Sequence, residues 1–262
     1  FDTLWTSGID IFLVSFPIPN KYLQFKDGFD LRFGHPIQDD LIGYVTYKFE
    51  RLIVEEIQYN LDPYIAVGDD VGNLSSLSLS VVRDKRNNRF ETTKGDYQSI
   101  ATEYGGLGAN KYFAKLTAEA RYYQPIYEDL VFRTKLEAGR VFKTTDKNIP
   151  PAEKFYLGGP NNLKGYETFT VGPKSDRGTP LGGEAQLLYI AELEFPLIRE
   201  AGVKLVGFFD MGNSYSSFDN MLRIAGLKKD VGFGFRWFSP IGPLRFEWGF
   251  PMNRNPDYHR PT

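Results

Sequence analysis

The side chains that could act as general bases near neutral pH are two histidines, His35 and His259. His35 stands beside Pro36 at a strand end and His259 lies in a polar tail, and neither has a convincing Ser–His–acid arrangement. Cysteine is absent, which excludes thiol nucleophiles, thiolate metal sites and disulfides. No metal cluster, phosphate-binding loop or dinucleotide fingerprint is recognisable. The sequence therefore predicts a protein that is not an enzyme and that needs no cofactor or metal.

The elements that position the remaining polar residues are not membrane-spanning helices. The 262 residues are 42% hydrophobic and 16% aromatic, yet the mean hydropathy is -0.35. A helical span needs about 20 consecutive apolar residues, whereas the longest apolar stretches, such as 11–14, are only a few residues long. A net charge of -2 also argues against nucleic acid as a partner. A β-barrel remains possible, because only every second residue of its strands faces lipid.

Alternation of apolar and polar residues is the main structural signal. In residues 231–237 the odd positions are all apolar and the even ones are Gly, Gly and Arg, and residues 244–250 alternate in the same way. Because strand side chains point to opposite faces in turn, each segment has one apolar and one polar face. The pattern predicts eleven strands, at about 3–16, 26–36, 40–54, 73–84, 94–107, 111–125, 129–143, 184–197, 203–215, 229–240 and 243–252.

A soluble barrel or sandwich would alternate too, with its apolar face turned inward. Here the apolar faces carry almost no charge, and the polar faces mix Arg, Lys and Glu with Gly. Aromatic residues also concentrate near strand ends, as they do in the girdles of membrane barrels. The girdle candidates are Tyr122, Tyr123, Trp237, Phe238, Trp248 and Phe250. We therefore predict an all-β, antiparallel transmembrane β-barrel.

The predicted strand number points to a partial barrel. A sheet in lipid must close on itself, because no water reaches its unpaired edge groups, and bacterial single-chain barrels usually have an even number of strands. Eleven is odd, and the tail 253–262 contains no final aromatic strand. We expect residues 1–262 to form one barrel domain that lacks strands at both ends.

One link, residues 144–183, is too long for a turn and has no strand periodicity. It contains Phe155, Leu157, Leu163 and Tyr166, which a loop in solvent would not need. Its glycines suggest positive φ angles or close contact with a wall. An ordinary outer loop is the alternative, but we predict a loop that folds back into the lumen.

Four motifs resemble the outer-membrane protein 85 superfamily, also called the bacterial surface antigen family. Residues 158–166 read GGPNNLKGY, with VGP and a double Gly after them, and are similar to the inserted sixth extracellular loop of that superfamily. Residues 82–95 resemble its periplasmic turn of the form RDxRNNxxxPxxG. The sequences GFFDMGN (207–213) and FRWFSPIGPLRF (235–246) complete the match, which runs from about 80 to 252. The last of these is very specific, whereas the first 70 residues match only as strands.

The resemblance implies that the chain supplies about strands five to fifteen of a sixteen-stranded barrel. The first four strands, the last strand and the periplasmic POTRA domains would be absent, and with them both strands of the family's lateral gate. The implied protein is an integral insertase of a Gram-negative outer membrane. Its expected partners are nascent outer-membrane β-barrel proteins, accessory lipoproteins of the barrel-assembly machinery and outer-membrane lipid. A sibling barrel for two-partner secretion, or for translocation and assembly, is the alternative, because the loop motif is shared.

The resemblance also assigns the candidate site. The loop motif comprises Gly158, Gly159, Leu163, Lys164, Gly165 and Tyr166. Lys164 stands where the family usually has arginine, and the turn at 82–95 lacks the usual proline. Lysine cannot form the two-pronged contact that arginine makes with a carboxylate, so we expect different bonding. A buried cation needs a partner, and we predict that Lys164 pairs with Glu194, Asp210 or both, on the two strands after the loop.

Further charges fall on the polar faces. They are Arg121, Arg133, Lys135, Glu137, Arg236, Arg245 and Glu247. Because their signs are interspersed, they favour a neutralised, plugged lumen over an open diffusion pore.

Overall fold

The computed structural model of the protein describes residues 5–18, 22–55, 71–222, 224, 226–239 and 241–252. Within them, eleven antiparallel strands form one sheet in chain order. The strands are β1 (Thr6–Ile18), β2 (Tyr22–Gln38), β3 (Leu41–Glu55), β4 (Gly72–Asp84), β5 (Gly95–Gly105), β6 (Phe113–Tyr127), β7 (Leu130–Phe142), β8 (Ala185–Ile198), β9 (Val203–Tyr215), β10 (Lys228–Ser239) and β11 (Gly242–Pro251). The predicted all-β fold and the predicted number of strands are confirmed.

Successive links lie alternately at the two ends of the sheet. The links 39–40, 85–94, 128–129, 199–202 and 240–241 define what we call the turn end, and the links that include 106–112, 143–184 and 216–227 define the loop end. At the turn end, Lys85 contacts Asp40 at 3.0 Å, and its hydrogen bond and positive charge lower the pKa of that carboxyl. Every strand pairs with its neighbour in the chain, so the sheet is a simple meander.

The structure differs from the predicted elements in three places. Strand β2 is longer than 26–36, because its pairing with β3 continues from Gln38 back to Leu23. A short helix, α1 (Phe218–Leu222), lies in a link for which no helix was predicted. Tyr123 points inward and is buried, whereas its neighbour Tyr122 is 47% exposed on the outer face. Only one of two consecutive strand residues can face lipid, so Tyr123 is not part of a girdle. Residues 3–4 and 253–262 lie outside the described residues.

The two faces of the sheet have opposite chemistry. Large apolar side chains cover the outer face, including Leu79 at 50%, Ile100 at 61% and Phe233 at 50% exposure. Charged residues such as Glu194 and Asp210 are buried on the inner face. This is the orientation of a membrane barrel, in which apolar side chains face the lipid. Among the described residues, no helix is long and apolar enough to cross a membrane.

The outer face provides a first test of this orientation. Leu79→Arg places a cation on the lipid side of β4 and is expected to cost about 2 kcal/mol of folding free energy near the membrane midplane. Ser80→Arg places the same side chain on the inner face and should cost much less. Denaturant unfolding of both variants in lipid vesicles measures the difference. Equal losses would contradict a lipid-facing outer surface.

Candidate functional site

The candidate site is the link between β7 and β8, residues 143–184, which lies against the inner face of the sheet. Its apolar side chains pack with inward-facing residues of β8 in a buried cluster, and Leu163 has no exposed surface. The cluster consists of Leu157, Leu163, Tyr166, Val171, Leu188 and Ile190. Burial removes apolar surface of both the loop and β8 from water, and this holds the loop against the inner face of the sheet.

Backbone geometry explains the glycines of the motif. Gly158 and Gly159 have φ angles of +104° and +105°, which residues with a side chain rarely adopt. The Oδ1 atom of Asn162 accepts hydrogen bonds from the amides of Gly158 and Leu163, both at 2.7 Å. The amide of Gly159 in turn donates to the carbonyl of Tyr166 at 2.9 Å. These bonds form a compact tip that presents Lys164 to the sheet.

Lys164 is the polar anchor of this tip. Its Nζ atom lies 3.1 Å from each oxygen of Asp210 on β9 and 3.3 Å from Glu192 Oε1 on β8. Its side chain is only 4% exposed, and the ammonium also lies 4.3 Å above the ring of Phe208. A cation this deeply buried is stable only with such partners. The single ammonium thereby links the loop to two neighbouring strands.

The structure brings together only one of the two predicted pairs. Asp210 contacts Lys164, whereas the carboxylate supplied by β8 is Glu192 and not Glu194. The described contacts of Glu194 are with Arg133, Lys204 and Arg236 instead. Both glutamates face inward because they are two residues apart on one strand. The loop tip is positioned closer to the loop end, and it therefore meets Glu192.

Gly165 and Tyr166 place the loop tip against β10 and β11, the last two strands of the sheet. The hydroxyl of Tyr166 donates to the carbonyl of Lys229 on β10 at 3.1 Å. A Cβ atom on Gly165 would lie 2.6 Å from the Cβ atom of Asp230 and 3.0 Å from the amide nitrogen of Pro251. Only glycine permits such an approach of two backbones. The motif residues thus contact β8, β9, β10 and β11.

A second anchor lies earlier in the loop and was not predicted. Glu153 is buried and approaches Lys115 of β6 at 3.5 Å, and Phe155 packs against Gly139 of β7. Burial alone would raise the pKa of Glu153, but the positive charges of Lys115 and Lys48 outweigh it and the pKa is lowered. Because the pKa is depressed, this contact contributes at neutral pH and is lost when the pH falls through the folded-state pKa.

An ion-pair network continues from the anchor toward the turn end. Arg236 on β10 is its centre, with Nη1 and Nη2 donating to Glu192 at 2.8 and 2.7 Å and Nε donating to Glu247 at 2.9 Å. The network joins β7, β8, β10 and β11 through side chains that lie on the inner face. Alternating signs neutralise one another, as the sequence predicts.

The geometry of Arg236 supports a second prediction. Arg236→Lys retains the charge but loses the fork that holds Glu192 and Glu247 together. We expect a loss of about 2 kcal/mol of barrel stability, the value of one or two charge-assisted hydrogen bonds. Thermal unfolding measured by the gel-mobility shift of the folded barrel quantifies it. Arg51→Lys, at an ion pair on the outer face, is the matched control, and an equal effect there would contradict the role of the fork.

The histidines do not form a catalytic arrangement in the described residues. His35 lies on β2 with its ring 4.5 Å from the ring of Trp5, and His259 lies outside the described residues. That the protein is not an enzyme stays a prediction.

An antiparallel sheet with an apolar outer face, an ionic inner face and a long loop anchored inside defines a transmembrane β-barrel domain. The family model described as "Omp85 superfamily domain" matches residues 2–261. The chain belongs to the Omp85 superfamily, which confirms the resemblance found in the motifs.

The chain is also similar to a curated protein and to two solved structures. The outer membrane protein assembly factor BamA of Nitratidesulfovibrio vulgaris is 28% identical over 234 residues, which cover 88% of this chain and 30% of that protein. The solved structure of BamA from Haemophilus ducreyi lacking POTRA domains 1-3 has a TM-score of 0.77 at 18% identity, covering 96% of this chain and 56% of that one. CdiB from Acinetobacter baumannii has a TM-score of 0.57 at 16% identity, covering 88% and 39%. The chain spans about a third of the length of the curated relatives.

Proposed function

We propose that this chain is the membrane barrel of an insertase that folds β-barrel proteins and inserts them into the outer membrane of a Gram-negative bacterium. The observation that carries the proposal is the similarity to an outer membrane protein assembly factor over 88% of the chain. The fold agrees with it, because the outer face is apolar and the inner face is charged. The substrates would be nascent outer-membrane β-barrel proteins.

The anchored loop supports an insertase over an open pore. Its tip is fixed to Asp210 and Glu192 and its apolar residues are buried, so it fills space on the inner face. An insertase acts by pairing an incoming strand with a sheet edge, and a stiff interior keeps the sheet in shape while that edge is used. We therefore expect low, unsteady conductance from the intact barrel in a planar bilayer, and a large steady current would contradict the plugged interior.

The remaining partners follow from the same proposal. Accessory lipoproteins of the barrel-assembly machinery would bind outside the membrane segment, and lipid would cover the apolar outer face. We propose no enzymatic activity, cofactor or nucleic acid. The chemistry required is hydrogen bonding between strand edges, which needs none of them.

Depletion of the full-length protein in its own host tests the function. Many outer-membrane barrels should fall together, and expression of the intact gene should restore them. A reconstituted test uses the purified full-length protein in vesicles with an unfolded eight-stranded barrel, whose folding rate should rise. Normal barrel levels after depletion, with no acceleration in vesicles, would refute the proposal.

A sibling secretion barrel is the second candidate, because CdiB has the same general fold. The likeness at 16% identity concerns the fold alone, and the assembly factor is the better supported relative. Quantitative proteomics after depletion separates the two. Loss of one large secreted protein with unchanged outer-membrane barrels would assign the chain to secretion.

A further inference from the structure

A cationic cavity lies between the loop tip and the inner face of the sheet. Its volume is about 360 Å³, and the tip contributes Pro160, Asn161 and Lys164 to its lining. The sheet residues that line it are on the half of β6, β7, β10 and β11 nearest the turn end and near the middle of β8. Six cations line it, namely Arg121, Arg133, Lys135, Lys164, Arg236 and Arg245, with Glu192 as the one carboxylate among the lining residues.

Two of the carboxylates that balance these cations lie in the wall and not at the cavity surface. Glu194, which contacts Arg133, and Glu247, which contacts Arg245, are 5% and 7% exposed. Three of the arginines reach further into the open space than their carboxylates, since Arg121, Arg133 and Arg245 are 37%, 25% and 41% exposed. In these three ion pairs the positive group stands in front of the negative one, which gives the cavity a positive potential although the network as a whole is neutral.

The guanidinium groups also have hydrogen-bonding capacity left for a ligand. Each has five N–H donors, and the described contacts of Arg121 and Arg133 with carboxylates use Nε and Nη1, respectively. Several forked donors that converge on one space match a group with three or more charged oxygens better than a single carboxylate, which offers two.

We propose that this cavity binds a small multivalent oxyanion of the phosphate type. The ligand is a soluble anion and not a lipid headgroup, because the apolar lining is limited to Tyr123, Ile190 and Pro160, which provide no path for an acyl chain. Because Asn161 and Lys164 belong to the loop tip, a bound anion contacts the loop and the sheet at once and stabilises the docked loop. The site is independent of the insertase proposal.

Calorimetric titration of the full-length protein in nanodiscs with inorganic pyrophosphate tests the site. We expect saturable binding with one pyrophosphate per barrel, and a rise in the unfolding temperature with pyrophosphate concentration. The double variant Arg121→Gln/Lys135→Gln should weaken binding by roughly 100-fold, about tenfold for each lost charge. Arg51→Gln, which removes an ion-paired arginine from the outer face, should bind like the unaltered protein.

Three results would overturn the proposal. The first is that the unaltered protein gives no saturable heat of binding, and the second is that the double variant binds pyrophosphate with unchanged affinity. The third is that a tetraglutamate peptide displaces pyrophosphate at a lower concentration than phosphate does, which would assign the cavity to an acidic polypeptide. If the double variant does not fold, the single variant Lys135→Gln and the salt dependence of the unaltered protein replace it, and affinity that is insensitive to both would equally reject the site.

Discussion

Replacement of Lys164 by methionine is expected to release the loop from the barrel wall and to cost about 3–5 kcal/mol of stability, the range for removing one member of a buried ion pair. The ammonium is the cation that joins Asp210 and Glu192 to the loop. Asp230 is fully buried on β10, in register with Asp210. Without Lys164, the neighbouring buried carboxylates of Asp210 and Asp230 would lose the nearest positive charge on the loop. Either water would have to enter the space between the loop and the sheet, or the loop would have to detach from the sheet.

Limited proteolysis and thermal unfolding of the full-length protein measure this effect. The loop of Lys164→Met should be cut at Lys174 and Arg177 at protease concentrations that leave the unaltered protein intact, and the folded barrel should lose its gel-mobility shift at lower temperature. Lys164→Arg keeps the charge and supplies a fork, so it should retain most of the stability. Arg177→Met changes an exposed loop cation and serves as the control for loss of charge in the thermal measurement only, because it also removes one of the two cleavage sites. A Lys164→Met protein with unaltered loop protection would show that apolar packing alone holds the tip.

The same substitution separates anchoring from assembly. If the fixed loop is required for insertion, Lys164→Met should fail to restore outer-membrane barrels in depleted cells although the protein is still present in the membrane. A variant that is destabilised but fully active would leave the anchor with a role in stability only.

The faces of the strands could be predicted from the sequence because alternation follows directly from strand geometry. It placed Glu194 and Asp210 inward, and it also places Glu192 and Asp230 inward. It could not choose between Glu192 and Glu194, since that choice depends on how far the loop tip descends along β8. The pairing of Asp210 with Asp230 depends on the register between β9 and β10, which the pattern of a single strand does not contain.

The loop shows the same division between local and distant information. Its glycines and apolar residues indicated close packing, and Gly158 and Gly159 indeed have positive φ angles. The second anchor, Glu153 with Lys115, joins residues 38 positions apart, and no sequence motif predicts it. Contacts of this kind arise from the three-dimensional path of the chain, and only the structure reveals them.

Gly249 on β11 illustrates a glycine whose role is invisible in sequence. It alternates with Trp248 and Phe250 as one more small residue of a polar face, but the loop backbone lies directly against it. A Cβ atom there would lie 2.5 Å from the carbonyl carbon of Lys164 and 2.5 Å from the amide nitrogen of Gly165. Both obstacles are backbone atoms, so no side-chain rotation relieves the clash.

Gly249→Ala is therefore expected to displace the loop tip and to cost about 3 kcal/mol, at the upper end of the usual range for overpacking. Gly207→Ala on β9 is the matched control, because a Cβ atom there meets nothing within 4 Å, and it should be neutral or slightly stabilising since glycine weakens a strand. Unfolding temperature and loop proteolysis of the two variants, measured side by side, provide the comparison. Equal behaviour of the two alanine variants would mean that the tip is not seated on β11, and the close contact between Gly165 and Gly249 would have to be abandoned as the reason for glycine at either position.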